Sequence, residues 1–283
     1  MKMKFRILTI IILGTFTSLM SQQLPRSLSS IDTELSSICG EASSPYAERV
    51  RLIHRLPSNL APEQLERCRA FLESPLAGQP LPDLEFNGLK NELVFALLRQ
   101  REGLTELAEL LVRMSRAPET DATWRDYCVQ FLGKCYPRIH DARSREAMAD
   151  ALWEALRTRR RGRAAGSAAR QLMTLGRTLP EFPPEKVSAA SLEALLDPAS
   201  SDETRTALLQ VCGTLGERGA LPTARTIAGR NSAPVLRASA IAAVGLLGDA
   251  SDLPLLKRLA ALGDVRVSRP ASAAIDRIQK SNQ

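Results

Sequence analysis

Two histidines, five cysteines and one dense run of arginines are the residues of this chain whose types can do chemistry. His54 and His140 cannot supply an H-E-x-x-H metal motif, and no G-x-G-x-x-G, phosphate-cradling Walker loop or G-x-S-x-G stands anywhere in the chain. Cys128, Cys135 and His140 have the spacing C-x6-C-x4-H, which is not a usual zinc-ligand spacing. Both cysteines also share a helical face with Trp124, Phe131 and Leu132, so they are expected as buried core thiols. On one straight helix they stand ~10 Å apart, too far for a direct disulfide. His140 beside Asp141 reads as a loop pair at a helix start. No catalytic residue, metal site or cofactor is expected.

The densest charge is Arg157-Thr158-Arg159-Arg160-Arg161-Gly162-Arg163, five arginines in seven residues. Guanidinium groups at this density suit a phosphate, an acidic glycan, a lipid headgroup or an acidic protein surface. The same residues also suit the solvated C-terminal end of a helix, where cations complement the dipole. No aromatics interleave the run, so single-stranded nucleic acid is not an expected partner.

The elements that position these residues begin with an N-terminal segment of export type. Lys2, Lys4 and Arg6 precede an apolar run from Ile7 to Met20, shorter than the ~20 residues that span a bilayer. Residues 1–21 are expected as a signal peptide cut near Ser18 or Ser21, or alternatively as an uncleaved anchor, the one case in which a membrane is a partner. Cleavage takes three positive charges from a net +7 and leaves about +4, a mild basic bias. Export makes disulfides possible, but five cysteines leave at least one unpaired within the chain. Cys39 and Cys68 are the expected pair, because they lie outside the clearest repeats and can staple the N-terminal end.

Residues 22–44 are Ser-rich and read as a linker with one short helix at Ile31–Ile38. From Pro45 to the end, helical periodicity recurs between short breaks. Phe86, Leu89, Leu93 and Leu97 share a face, as do Leu104, Leu107, Leu111 and Met114, and then Met148, Leu152, Ala155 and Leu156. Pro45, Pro62 and Pro234 sit at helix starts, and Ser200 to Glu203 has capping-box spacing. About twelve helices in six pairs follow, with no alternating strand pattern. Aromatics at 4% and abundant Leu and Ala fit closely stacked small helices.

A repeat organises the C-terminal third. Thr204-Arg205…Gly213…Gly216 matches Leu236-Arg237…Gly245…Gly248 at a spacing of 32, and Leu221-Pro222 matches Leu253-Pro254. A unit this short cannot bury its own apolar face, so copies must stack. The stretch from about 200 to 280 resembles the bacterial type of HEAT repeat, with a degenerate third copy opening at Val267. The resemblance implies an all-α fold, a right-handed α-solenoid of antiparallel helix pairs, here extended over residues 45–283 by helix pattern. It implies that Arg205 and Arg237 pair with acidic residues of a neighbouring loop. It also implies that helices near 221–229 and 253–261 line the concave side, where Arg225 and Lys257 form a basic ladder.

HEAT-like proteins are mostly scaffolds, and a few relatives are bilin lyases or DNA glycosylases; fold alone does not choose among them. The expected function is an exported scaffold in the bacterial periplasm or cell envelope. It binds a protein partner, itself acidic if the arginines are its contact, without catalysis. The alternatives are a binder of an acidic polymer or anionic membrane through Arg157–Arg163, and an enzyme of the HEAT-like lyase or glycosylase kind.

Overall fold

The computed structural model describes residues 28–40, 44–78, 81–158 and 161–281. The expected signal or anchor at 1–21 lies outside them, as do residues 22–27 and 41–43 of the expected linker. The described residues form fourteen α-helices and no strand. They are α1 (Leu28–Cys39), α2 (Tyr46–His54), α3 (Pro62–Glu73), α4 (Asp83–Leu98), α5 (Leu104–Arg116), α6 (Ala122–Cys135) and α7 (Ala142–Thr158). The second half holds α8 (Ala164–Leu175), α9 (Pro184–Leu196), α10 (Asp202–Leu215), α11 (Leu221–Gly229), α12 (Pro234–Leu247), α13 (Leu253–Ala260) and α14 (Val265–Ser281). Among these helices none is long and apolar enough to cross a membrane.

Consecutive helices pair, α1 with α2 through α13 with α14, and the pairs stack into an α-solenoid with two layers. The even helices form one continuous layer in which each packs on the next, from α2 to α14. Small residues allow this close approach. A Cβ added at Gly245 of α12 would sit 2.6 Å from the Cβ of Ala274 in α14, and one at Gly166 of α8 would sit 2.7 Å from Ala207 in α10. Stacked helices within a layer run parallel: along α1 and α3, Gln64 bonds Asp32 at 2.8 Å and Arg67 bonds Ser36 at 2.9 Å. The helix expected at Ile31–Ile38 within the Ser-rich segment is present and longer, running from Leu28 to Cys39, and Ile31, Leu35 and Ile38 are buried against the core.

The layers are not equally spaced at the C-terminal end. There α10, α12 and α14 are in close contact, while α11 and α13 pack on their own partners and hardly on each other. Here α11 and α13 belong to the odd layer, and Arg225 of α11 bonds Asp252 at the entry to α13.

One polar device recurs at the pair turns. The fourth residue of α2, α6, α10 and α12 is Arg49, Arg125, Arg205 and Arg237. Each turns back to the carbonyl end of the helix before it. Arg49 Nε donates to Ile38 O at 2.9 Å, and Arg125 donates to Ala117 O at 3.3 Å and Pro118 O at 2.9 Å. Arg205 donates to Asp197 O at 3.2 Å, and Arg237 to Ala228 O at 3.0 Å. The last carbonyls of a helix lack intrahelical partners and carry its negative end, so a cation satisfies both needs. Both Arg205 and Arg237 bond backbone carbonyls, and Arg237 also lies near the acid expected of a neighbouring turn, since its charge adds to that of Arg266 in lowering the Asp264 carboxyl between α13 and α14.

Helix ends follow the sequence closely. Ser201, rather than the expected Ser200, caps α10 by accepting from Thr204 N at 3.2 Å, while Ser200 Oγ donates to Ala194 O. Gly216 ends α10 in the left-handed region at φ +74°, which favours glycine.

The described cysteines are all free thiols, and Cys39 and Cys68 hydrogen-bond to each other across α1 and α3. The Cys68 contact, with help from Arg67 and Arg49, holds the Cys39 thiol below its ordinary range, whereas the Cys39 contact and burial push Cys68 up. Oxidation by a donor disulfide such as glutathione disulfide is expected to join them: the Cys39 thiolate displaces one donor thiol, and Cys68 then displaces the other. Closing the intervening loop adds about 3–4 kcal/mol. Peptide mass mapping after incubation with oxidised glutathione should find the 39–68 pair, and a reductant should then lower Tm. Two free thiols at these positions after that treatment contradict the pairing.

Candidate functional site

The turns within the pairs stack along one edge of the solenoid, and two cavities open there, one on each side of the α5–α6 turn. The first, about 470 Å³, lies among the α5–α6, α7–α8 and α9–α10 turns. Its lining includes Arg125, Arg157, Arg161 and Arg163, with Asp197 as its acidic residue. The arginine-rich segment therefore forms the wall of a cleft, and three of its five arginines face the same space. Arg159 and Arg160 lie outside the described residues.

Local chemistry fixes that wall. Gly162 adopts φ +93°, a left-handed turn that glycine takes without strain. Its carbonyl accepts from Ser201 Oγ at 2.6 Å and Thr204 Oγ1 at 2.7 Å, which ties the arginine turn to the start of α10. Arg157 lies over the Trp153 ring at 5.5 Å, which restricts its side chain. Arg157, Arg161 and Arg163 are all exposed. Guanidinium forks converging on a shallow cleft can bind carboxylates or phosphates bidentately.

Arg225 and Lys257 are not part of this cleft and do not make a ladder. Arg225 Nε and Nη2 bond Asp252 Oδ1 and Oδ2 at 2.6 and 2.8 Å, and Asp252 is buried at the entry to α13. Arg225 thus joins one pair to the next. Lys257 is exposed on α13.

The second cavity, about 800 Å³, lies between the α3–α4 and α5–α6 turns. Lys90, Asn87, Thr120 and Trp124 line its floor, and all four are buried. Lys90 Nζ donates to Ser74 O, the end of α3, at 2.6 Å and lies 4.9 and 5.2 Å from the centres of the Phe86 and Trp124 rings. It is the α4 version of the arginine device, one helical turn later. Sequence reasoning missed Lys90 because a lysine between Leu89 and Asn91 reads as a solvated face; its signal was its place between Phe86 and Leu93 on the apolar stripe.

Cys128 and Cys135 are fully buried on α6, and burial pushes the Cys135 thiol up to about 12 and raises that of Cys128 too. His140 is exposed, and the Asp141 carboxylate beside it caps α7 by accepting from Ser144 N at 2.7 Å. No group of three or more possible metal ligands occurs among the described residues.

With this geometry in place, comparison with known proteins gives the class. The family model for HEAT repeats matches residues 189–275, which run from within α9 into α14. The chain carries HEAT repeats over that stretch, within a helical-repeat scaffold. Among solved structures, the chain is similar to human deoxyhypusine hydroxylase in complex with glycerol, at 16% identity and a TM-score of 0.36. That alignment covers 89% of this chain and 97% of the other. No curated protein matches.

The buried lysine has a measurable signature. Burial pushes its amine down to about 8, from 10.5 when unfolded. Between those values the unfolded chain holds more protons than the folded one. The penalty for burying the charge is thus complete below pH 8 and is relieved as pH rises to 10.5. Subtracting the pH–stability curve of Lys90→Met from that of the wild type should leave a difference that moves in the wild type's favour across this window. A flat difference contradicts a buried, depressed amine.

Proposed function

We propose that this chain is an exported, non-catalytic HEAT-repeat scaffold of the bacterial periplasm or cell envelope. It binds a protein partner through an acidic segment seated in the arginine cleft. The observation that carries this reading is the convergence of Arg125, Arg157, Arg161 and Arg163 on one cleft of about 470 Å³. HEAT repeats present extended surfaces made of stacked turns, and a ridge of turns accepts a segment laid across several repeats. Exposed guanidinium groups contribute to specificity and encounter rate more than to raw affinity. The binding is therefore steep in salt, because screening shortens the reach of the cleft to about 8 Å at physiological ionic strength. The export part of the reading rests on Lys2, Lys4, Arg6 and the apolar run after them.

The test is cross-linking in the native envelope followed by purification, with wild type beside a variant carrying Arg157→Gln, Arg161→Gln and Arg163→Gln. The expected result is one dominant protein near stoichiometry with the wild type, and at least about tenfold less with the variant. Equal recovery of that protein by both overturns the cleft as the contact. Recovery of polysaccharide or lipid alone overturns the protein-partner reading in favour of an anionic polymer or membrane.

A further inference from the structure

The ridge carries two sites of opposite charge side by side, and neither is paired within the chain. On one side of the α5–α6 turn, Asp83 and Glu119 are exposed at the mouth of the larger cavity, without an ion-pair partner among the described residues. The other charges there are engaged: Glu73 pairs with Arg113, Asp121 caps α6, and Lys90 is buried on the Ser74 carbonyl. On the other side, Arg157, Arg161 and Arg163 are exposed in the arginine cleft, also without an ion-pair partner among the described residues. The acid of that cleft, Asp197, already accepts from Ala199 N at 2.7 Å. Elsewhere on the odd helices exposed charges are matched, as in Arg113 with Glu73 and Arg116 with Glu154. The same asymmetry runs through the chain: residues 28–158 hold 16 Lys and Arg against 20 Asp and Glu, and residues 159–283 hold 18 against 11, so the two halves attract each other's copies.

Exposed leucines mark the outer ends of the two sites. Leu84, at the start of α4, is 77% exposed, and Leu196, at the end of α9, is 56% exposed. Along the ridge the order is thus apolar, acidic, basic, apolar, arranged about a point beside the α5–α6 turn. A two-fold axis across the ridge at that point reverses the order. It lays the acidic mouth of one chain over the arginine cleft of the other, twice over, and turns Leu84 of each chain toward Leu196 of the other. A surface complementary to itself under rotation is what an isologous dimer requires. We propose that the ridge is a dimer interface and that a second copy of this chain occupies the arginine cleft, with its Asp83 and Glu119 among Arg157, Arg161 and Arg163. This rests on the reading of the cleft as a protein contact, and names the protein. Carboxylates meet guanidinium forks bidentately, and only two leucines per chain add apolar area, so charge governs the association and salt weakens it.

Sedimentation equilibrium of the protein isolated from the envelope tests this, with two charge-reversed variants. One carries Arg157→Glu, Arg161→Glu and Arg163→Glu; the other carries Asp83→Lys and Glu119→Lys. Arg125 is left in place because it holds the carbonyls that end α5. The wild type should show a reversible monomer–dimer equilibrium at low salt, and one at least about tenfold weaker near 1 M salt, where the screening length falls to about 3 Å. Each variant alone should dimerise at least about tenfold more weakly than the wild type. Mixed in equal amounts, the two should form a heterodimer as tight as the wild-type dimer, because both contacts again join opposite charges. That rescue also shows that each variant is folded. Leu84→Ser should weaken the wild-type dimer at low and high salt alike. A wild type that is monomeric at every salt and concentration overturns the second copy as the occupant; envelope cross-linking would still recover a different protein if the cleft reading alone were right. Growth beyond the dimer overturns the two-fold arrangement. A dimer that neither variant weakens, or variants with native circular dichroism that fail to associate when mixed, overturns the pairing of acidic mouth with arginine cleft.

Discussion

The stack depends on one contact: a cation early in an even helix that reaches back to the carbonyl end of the helix before it. Arg49, Arg125, Arg205 and Arg237 make it from the same position of four helices, and Lys90 makes it from one turn further along α4. Every pair turn faces the same difficulty, since the helix that ends there leaves carbonyls without partners and a negative dipole end. Water solves this at an exposed turn. Where turns are stacked against neighbours, a guanidinium fork solves it with several donors and also fixes the angle between the two helices of a pair. The interior supplies the driving force, through small residues such as Gly166 and Gly245 that bring successive even helices together. The cations supply the register at the edge.

That arrangement has a consequence for the surface. Satisfying the turns with basic side chains concentrates positive charge along the ridge, and the α7–α8 turn adds Arg157, Arg161 and Arg163 to it. On the other side of the α5–α6 turn the mouth is acidic, with Asp83 and Glu119 above a buried Lys90. The ridge therefore offers two adjacent cavities of opposite rim charge, built from turns whose own structure is already secured by the stack.

Much of this was legible in the residues. The spacing of 32 between Arg205 and Arg237 and between Gly213 and Gly245 required stacked copies, and the apolar stripes of α4 to α7 gave helices whose faces are buried as expected. What a repeat does not encode is the partner of each polar side chain. Arg205 and Arg237 hydrogen-bond carbonyls, because a carbonyl end is always present at a pair turn and needs no particular residue to provide it. Arg225 found Asp252, 27 residues away, because α11 lies next to the entry to α13 in three dimensions. Lys90 stood on the apolar stripe between Phe86 and Leu93, but its partners, the Ser74 carbonyl and the Trp124 ring, come from other elements of the stack.

The central claim is that the ridge of pair turns, and not the close-packed even layer, is the working surface. Hydrogen exchange measured on the protein purified with its cross-linked partner tests it most directly. The account predicts slowed exchange at residues 122–125 and 157–164 relative to the free chain, with α12 and α14 unchanged. Slowing confined to α10, α12 and α14, with the turns exchanging as in the free chain, would contradict it.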